Sequence, residues 1–241
     1  MAKPSHIELA DGSRLRILYE DRSVIAIDKP PGWMLAPDSW EKTGRNLQLA
    51  LNSSLNAGDF WARSRNLKFL RFVHRLDADT SGVLLLAKST GALKALSELF
   101  ETRSVEKLYL AVVHGIPKVK QWTCNLQLSP EPAVVGRMKV DERDGKDAET
   151  HFQVLQTGPD TALISARPAT GRTHQIRVHL AAAGHAVLGD PLYGPKNRMQ
   201  APGHTDLALR AVALAYRDPF QKRQVRIQAP DMEFKKRFGF A

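Results

Sequence analysis

The sequence predicts an α+β fold, a single domain built around a mixed, largely antiparallel β-sheet flanked by helices and loops. Three observations predict it. Strand-like and helix-like runs interleave without the regular β-α-β-α rhythm of a doubly wound parallel sheet. Many strand pairs are joined by connections too short for a parallel crossover. No Pro- or Gly-rich linker divides the chain. The domain is expected over residues 14–241, after a polar, flexible segment at residues 1–13.

The elements follow in order. Ile17–Tyr19 and Val24–Ile27 are short β-rich runs on either side of the polar turn Glu20–Ser23, which reads as a hairpin. Pro30-Pro31-Gly32 stops the second strand. Leu47, Leu51 and Leu55 recur at fourfold spacing, a helical face that Gly58 can end. Val83–Leu86 is unbroken apolar sequence and suits a strand buried on both faces. Ser89 or Thr90 can cap a helix carrying Leu93, Leu96 and Phe100 at i, i+3 and i+7. Lys107–Val113 is strand-like, with Leu108, Leu110 and Val112 on one side and Tyr109, Ala111 and Val113 on the other. Further strands are expected near 121–128, 149–156 and 161–167, with the charged stretch Asp141–Glu149 as an exposed connection. Residues 173–184 read as a helix with Ile176, Leu180 and Ala183 on one stripe and a terminal glycine. Residues 207–216 and 223–229 read as late strands, and Met232–Phe238 as a short basic helix.

Composition narrows the function. Lys+Arg number 35 and Asp+Glu 25, a formal net charge of +10. Such an excess concentrates polyanions around a protein, and a nucleic acid gains most because each neutralised phosphate releases a counterion. A solubility surplus with no partner is the plain alternative. An anionic membrane finds no amphipathic helix with a basic face, and no apolar run reaches spanning length. The lone Cys124 can form no intrachain disulfide and reads as a small buried strand residue. The N-terminal residues lack a signal peptide's apolar stretch. These features suit a cytoplasmic protein, and nothing in the pattern demands more than a monomer.

GxSxG, P-loop, GxGxxG and HExxH signatures are all missing. His174 and His179 lie five apart, the wrong spacing for two metal ligands on one helical face, so metal catalysis is not expected. Unusual residues concentrate in three places instead. In HRLDADTSG, residues 74–82, Asp77 stands just before the buried strand, where a charge is costly unless paired. Read alone, the same Asp is a turn cap among turn formers. Tyr109, in EKLYLAVVHG, is either a site residue or a core tyrosine with its hydroxyl bonded nearby. In PATGRTHQIRVH, residues 168–179, Arg172, His174 and Arg177 crowd the start of a helix, which suits an anion but equally a solvated basic face.

Together these segments resemble one family, the pseudouridine synthases that modify bacterial large-subunit ribosomal RNA and some transfer RNA. HRLDADTSG is similar to the family's catalytic-aspartate motif, DKPPG (28–32) to its lysine-proline-glycine motif and EKLYLAVVHG to its tyrosine motif. GRTHQIRVH (171–179) and GDPLYG (189–194) resemble its C-terminal motifs, in the family's order. Two departures stand out: Arg210 where a histidine is common, and the second proline of DKPPG. The resemblance implies a central mixed sheet and an isomerase acting on ribosomal RNA or transfer RNA. It implies a catalytic region without the family's added S4-type RNA-binding module, since about 13 residues precede the region.

The reaction breaks uracil N1–C1′ and joins C5 to C1′, with no redox change, so no cofactor is expected. The base must leave its stack first. By resemblance, Asp77 is the carboxylate acting at C1′ or C2′, Arg177 its partner, and Tyr109 the residue that stacks on the flipped base. Arg75 resembles the arginine that fills the gap left by the flipped nucleotide. Arg172, His74, Thr80 and Lys29 are expected as further RNA contacts. Two rivals remain. A non-catalytic RNA-binding or ribosome-assembly factor on this fold would tolerate loss of Asp77. A hydrolase would need a second carboxylate or a metal cluster near the motifs.

Overall fold

The computed structural model describes residues 3–35, 45–195 and 206–240. The chain divides into two compact units. One comprises residues 1–105 and 213–229, the other 106–212 and 230–241. Both are α+β and dominated by antiparallel strand pairs, as the sequence predicts.

In the first unit, β1 (His6–Glu8) pairs with β2 (Arg14–Glu20), β2 with β3 (Val24–Lys29) and β3 with β5 (Ser81–Ala87), all antiparallel. The short β4 (Arg71–Phe72) also pairs with β5. The expectation of a flexible segment at residues 1–13 is corrected. Ile7 is fully buried, and Ile7 faces Leu15 across the β1–β2 ladder. An apolar residue flanked by polar ones in a short run is too little for a periodicity to register. β5 buries Gly82 through Ala87 without interruption, as its apolar run requires.

Helix α1 (Leu47–Ala57) is capped by Asn46, whose side chain accepts the Leu49 N–H, and ends at Gly58 in the left-handed region. The one-turn α2 (Phe60–Arg63) was not expected; Trp61 is buried there and donates to Ser54 Oγ at 2.7 Å. Helix α3 (Thr90–Glu101) starts from Ser89, whose hydroxyl accepts the Ala92 N–H. Its Ala92 and Leu96 pack into a core with Val83, Leu85, Leu214, Tyr216, Val225 and Ile227.

In the second unit, β6 (Val105–His114), β11 (Thr161–Pro168), β10 (Thr150–Thr157) and β7 (Gln121–Cys124) pair antiparallel in that order. β6 departs from simple alternation: Leu110 through Val113 are buried on both faces. The stretch after β7, expected as strand to 128, instead leads to a separate hairpin of β8 (Leu128–Pro130) and β9 (Met138–Val140). Helix α4 (Gln175–Ala182) lies against the unit's core through Ile176 and Leu180. Ala183, expected on its apolar stripe, is exposed, because the helix has already ended there. The strand β12 (Leu209–Arg217) contributes residues to both units, and β13 (Gln224–Gln228) pairs with its second half. The short α5 (Met232–Arg237) closes the chain as expected. No helix among the described residues is long and apolar enough to cross a membrane.

Candidate active site

The aspartate loop, residues 74–80, links β4 to β5 in the first unit. Its shape is fixed from β3. Lys29 ends β3 opposite Gly82, which aims its side chain under the loop. Its Nζ donates to the carbonyls of Ala78 at 2.6 Å, Thr80 at 2.9 Å and Pro30 at 3.1 Å. The Gly32 amide donates to the same Ala78 carbonyl at 3.0 Å, from a left-handed glycine at φ 79. The Thr80 amide closes the turn onto the Asp77 carbonyl at 3.2 Å. The backbone from Asp77 to Thr80 is therefore tied down, and the Asp77 side chain is half-buried.

Lys29 and Thr80, both expected as RNA contacts, are 0% and 2% exposed in this structure, where they are buried at the base of the loop. Burial pulls the Lys29 ammonium down to about 8, while the carboxylates of Asp79 and Asp77 pull it upward. His74 also has a packing role: its ring stacks on Phe100 with centroids 4.8 Å apart, and its Nε2 accepts the Leu85 N–H at 3.1 Å. That bond assigns the ring proton to Nδ1. Arg75, two residues from Asp77, is exposed.

In the second unit, Tyr109 lies on β6 opposite Ala166 of β11 and is half-buried against the core. Arg177 projects from α4 and meets Asp190 as a fork. Its Nε donates to Oδ2 at 2.7 Å and its second terminal nitrogen to Oδ1 at 2.8 Å. The two side chains are 4% and 0% exposed. Asp190 Oδ1 also accepts the amides of Leu192 at 2.9 Å and Tyr193 at 3.1 Å. The GDPLYG glycines make this turn possible. A Cβ at Gly189 would collide with the Asp206 carbonyl, and one at Gly194 with the Asp190 carbonyl.

Tyr193 is the next link. Its ring lies 5.2 Å from the Arg177 guanidinium carbon. Its hydroxyl accepts the Met138 N–H at 2.8 Å and meets His174 Nδ1 at 2.9 Å. His174 caps α4 from the left-handed region at φ 53, which shifts the helix start from the expected Thr173 to Gln175. Arg172 is half-buried, and its Nε donates to the Asp147 carbonyl at 2.9 Å. His179 is part of the core. Its Nε2 bonds the Leu126 carbonyl at 3.0 Å and its Nδ1 meets Thr150 Oγ1 at 3.1 Å, while burial lowers its pKa. No group of three or more potential metal ligands occurs among the described residues.

The sequence reading missed Asp190 and Tyr193 as functional neighbours. GDPLYG was visible as a motif, but nothing in linear order says that its aspartate forks onto an arginine thirteen residues upstream. Arg210, at a position noted as a departure, is 9% exposed and donates Nε to the Pro230 carbonyl at 3.0 Å.

A family model described as RNA pseudouridylate synthase matches residues 23–182. Ribosomal large subunit pseudouridine synthase C of Pasteurella multocida is 35% identical over 234 residues, covering 93% of this chain and 67% of that protein. The protein of the same name from Yersinia pestis is 37% identical over 223 residues, covering 89% of this chain and 65% of its own length. The Bacillus subtilis protein called Uncharacterized RNA pseudouridine synthase YlyB is 36% identical, covering 92% of this chain and 71% of its own. This chain thus spans between 65% and 71% of the length of these relatives. Among solved structures, Human RNA Pseudouridylate Synthase Domain Containing 1 matches with a TM-score of 0.71 at 28% identity, over 90% of this chain and 83% of that one. Human RNA Pseudouridylate Synthase Domain Containing 4 shares the fold, with a TM-score of 0.72 at 24% identity over 92% of each chain. With its aspartate loop inside the matched span and relatives alike over nine-tenths of its length, the chain belongs to the RNA pseudouridylate synthase family.

Proposed function

We propose that this chain isomerises specific uridines in ribosomal RNA or transfer RNA to pseudouridine, with Asp77 as the catalytic carboxylate. The observation that carries the reading is the HRLDADTSG loop, which lies within the family match and is tied by the buried Lys29 through the carbonyls of Ala78 and Thr80. A carboxylate that must meet C1′ or C2′ of a flipped nucleotide gains from such fixing, because misplacement by an ångström is costly in rate. Tyr109 is proposed to pack on the uracil ring and Arg177 to complete the reacting set. The exposed Arg75 is proposed to take the space vacated by the base. Arg172 is proposed as a phosphate contact. The reaction is redox-neutral and needs no cofactor. The protein is proposed to act as a cytoplasmic monomer, drawn to RNA by its charge of +10.

The test is pseudouridine mapping of total RNA from cells with and without the gene, by carbodiimide adducts that stop reverse transcription. A site lost on deletion returns with wild-type protein and not with Asp77→Asn, which folds and binds RNA normally. An Asp77→Asn protein that restores the site refutes the catalytic assignment. A map unchanged by deletion favours the non-catalytic RNA-binding reading instead.

A further inference from the structure

Away from the aspartate loop, the β12–β13 hairpin of the first unit has two unlike faces. In the ladder, Ala213 faces Gln228, Ala215 faces Arg226 and Arg217 faces Gln224. These six share one face, since strand side chains alternate. Leu214, Tyr216, Val225 and Ile227 occupy the other, where all are buried in the unit's core. The outer face is thus two small alanines beside four long donor side chains, Arg217, Gln224, Arg226 and Gln228, all exposed. The alanines leave room for a flat group to approach the ribbon.

The tip that joins the two strands is tied by several hydrogen bonds. The Asp218 carboxylate accepts the amides of Phe220 at 2.7 Å and Gln221 at 3.0 Å. The backbones of Asp218 and Arg223 bond at 2.8 Å, and Lys222 takes the left-handed conformation at φ 56. Arg217 Nε donates to the Lys222 carbonyl at 3.0 Å, and Arg223 donates to the Tyr19 hydroxyl at 2.8 Å. These bonds leave Phe220 standing out at 53% exposure. Residues 217–228 carry the cations Arg217, Lys222, Arg223 and Arg226 and one carboxylate, Asp218, which is 3% exposed. Its charge is used inside the turn, and Asp21 pairs with Arg223 at 3.5 Å, so the charge facing solvent comes from Arg217, Lys222 and Arg226.

We infer that the β12–β13 ribbon is an RNA-docking surface separate from the aspartate loop, taking an unpaired strand with one base stacked on Phe220 and its phosphates on Arg217 and Arg226. An exposed aromatic among cations is the arrangement that binds single strands without reading sequence. The glutamines contribute donors to sugar or base edges between the phosphate contacts. The inference rests on the RNA-modifying reading for its biological sense, but its test does not.

The test measures binding of a short fluorescein-labelled polyadenylate strand across a salt series, together with turnover at saturating substrate RNA. Phe220→Ala is expected to bind about 10-fold more weakly, as loss of one stacked base implies, while Phe220→Trp keeps wild-type affinity. An Arg217→Gln, Arg226→Gln double variant should lower the slope of log affinity against log salt by about 1.4, at roughly 0.7 for each single-strand phosphate contact. Turnover at saturating RNA stays unchanged in all three. Phe220→Ala and the double variant binding as wild type, with the wild-type salt slope, overturns the inference. A wild-type protein that makes no pseudouridine but loses polyadenylate affinity on Phe220→Ala refutes the proposed activity and supports the ribbon.

Discussion

Lys29 is where residue-scale physics is clearest. Lysine is almost never fully buried without partners, and here three carbonyls and two nearby carboxylates hold one ammonium at 0% exposure. Lys29→Met would keep the volume but take the buried donor from the Thr80 carbonyl and one of two donors from the Ala78 carbonyl, which keeps the Gly32 amide. Leaving a buried acceptor without its donor costs about 1–3 kcal/mol, so the variant should lose that much in a urea melt, and turnover should fall because the Asp77 loop loosens. A Lys29→Met protein as stable and active as wild type would show that the anchor does not matter. The pKa adds a second expectation. It falls from 10.5 unfolded to about 8 folded, so between those values the unfolded chain binds more protons. In that window stability rises with pH. The cost of charging Lys29 is fully present below pH 8. The urea midpoint of wild type should therefore improve relative to Lys29→Met from pH 8 to 10.5, and a constant difference would contradict the shift. DKPPG was legible as a motif, but its lysine was read as an RNA contact. Residue type gives no depth, and only the pairing of Lys29 with Gly82 sends the side chain inward.

At the scale of elements, α4 shows how much a helix depends on what it packs against. The stripe of Ile176 and Leu180 was legible because amphipathic spacing reports the core side of a helix. The burial of Gln175, Arg177 and His179 was not, because each is covered by a specific partner drawn from elsewhere in the chain. Gln175 Nε2 bonds the Glu149 carbonyl and Thr150 Oγ1, His179 bonds the Leu126 carbonyl, and Arg177 forks onto Asp190. Arg177→Ala would strand a fully buried Asp190 carboxylate. Breaking a buried pair from one side costs about 3–5 kcal/mol. The variant should melt correspondingly earlier, and Asp190→Leu added to Arg177→Met should recover part of that loss. Thermal melts of single and double variants read this directly, and a single variant that melts with wild type would remove the pair from the fold's supports. The cap of α3 was better signalled, because Ser89 uses a local side-chain bond, which sequence contains in full; the Asn46 cap of α1 is equally local but was not read from the sequence.

At the scale of the whole molecule, the division into two units was illegible for a physical reason. Two of the three boundaries fall inside strands, between Val105 and Glu106 of β6 and between Val212 and Ala213 of β12, and the third follows Ala229, between β13 and α5. A strand carries no linker composition, so nothing in the residue order marks the passage. Long-range charge pairing was equally hidden. Glu20, at the end of β2, meets Lys88 at 2.7 Å, Arg65 at 2.8 Å and Lys3 at 3.7 Å, while Arg65 also donates to the Pro4 carbonyl at 2.6 Å. One carboxylate thereby ties together four stretches of the first unit. Burial raises the Glu20 pKa, but the hydrogen bonds from Lys88 and Arg65 outweigh it, and the net pKa lies below 4.5. The sign follows. A depressed carboxylate stabilises the fold above its unfolded value and stops doing so as pH falls through its folded value. Acid also neutralises other carboxylates in a chain already at +10, which adds self-repulsion. Glu20→Gln removes the titrating group while keeping its size. At pH 6 the variant should be clearly less stable than wild type, because Arg65 is left buried without its counter-charge. As pH falls below 4.5 the urea midpoints of the two proteins should converge, since wild type then loses the same interaction by protonation. Parallel curves down to pH 3 would mean that Glu20 is not the acid-sensitive tie, and the acid response would then come from net charge alone.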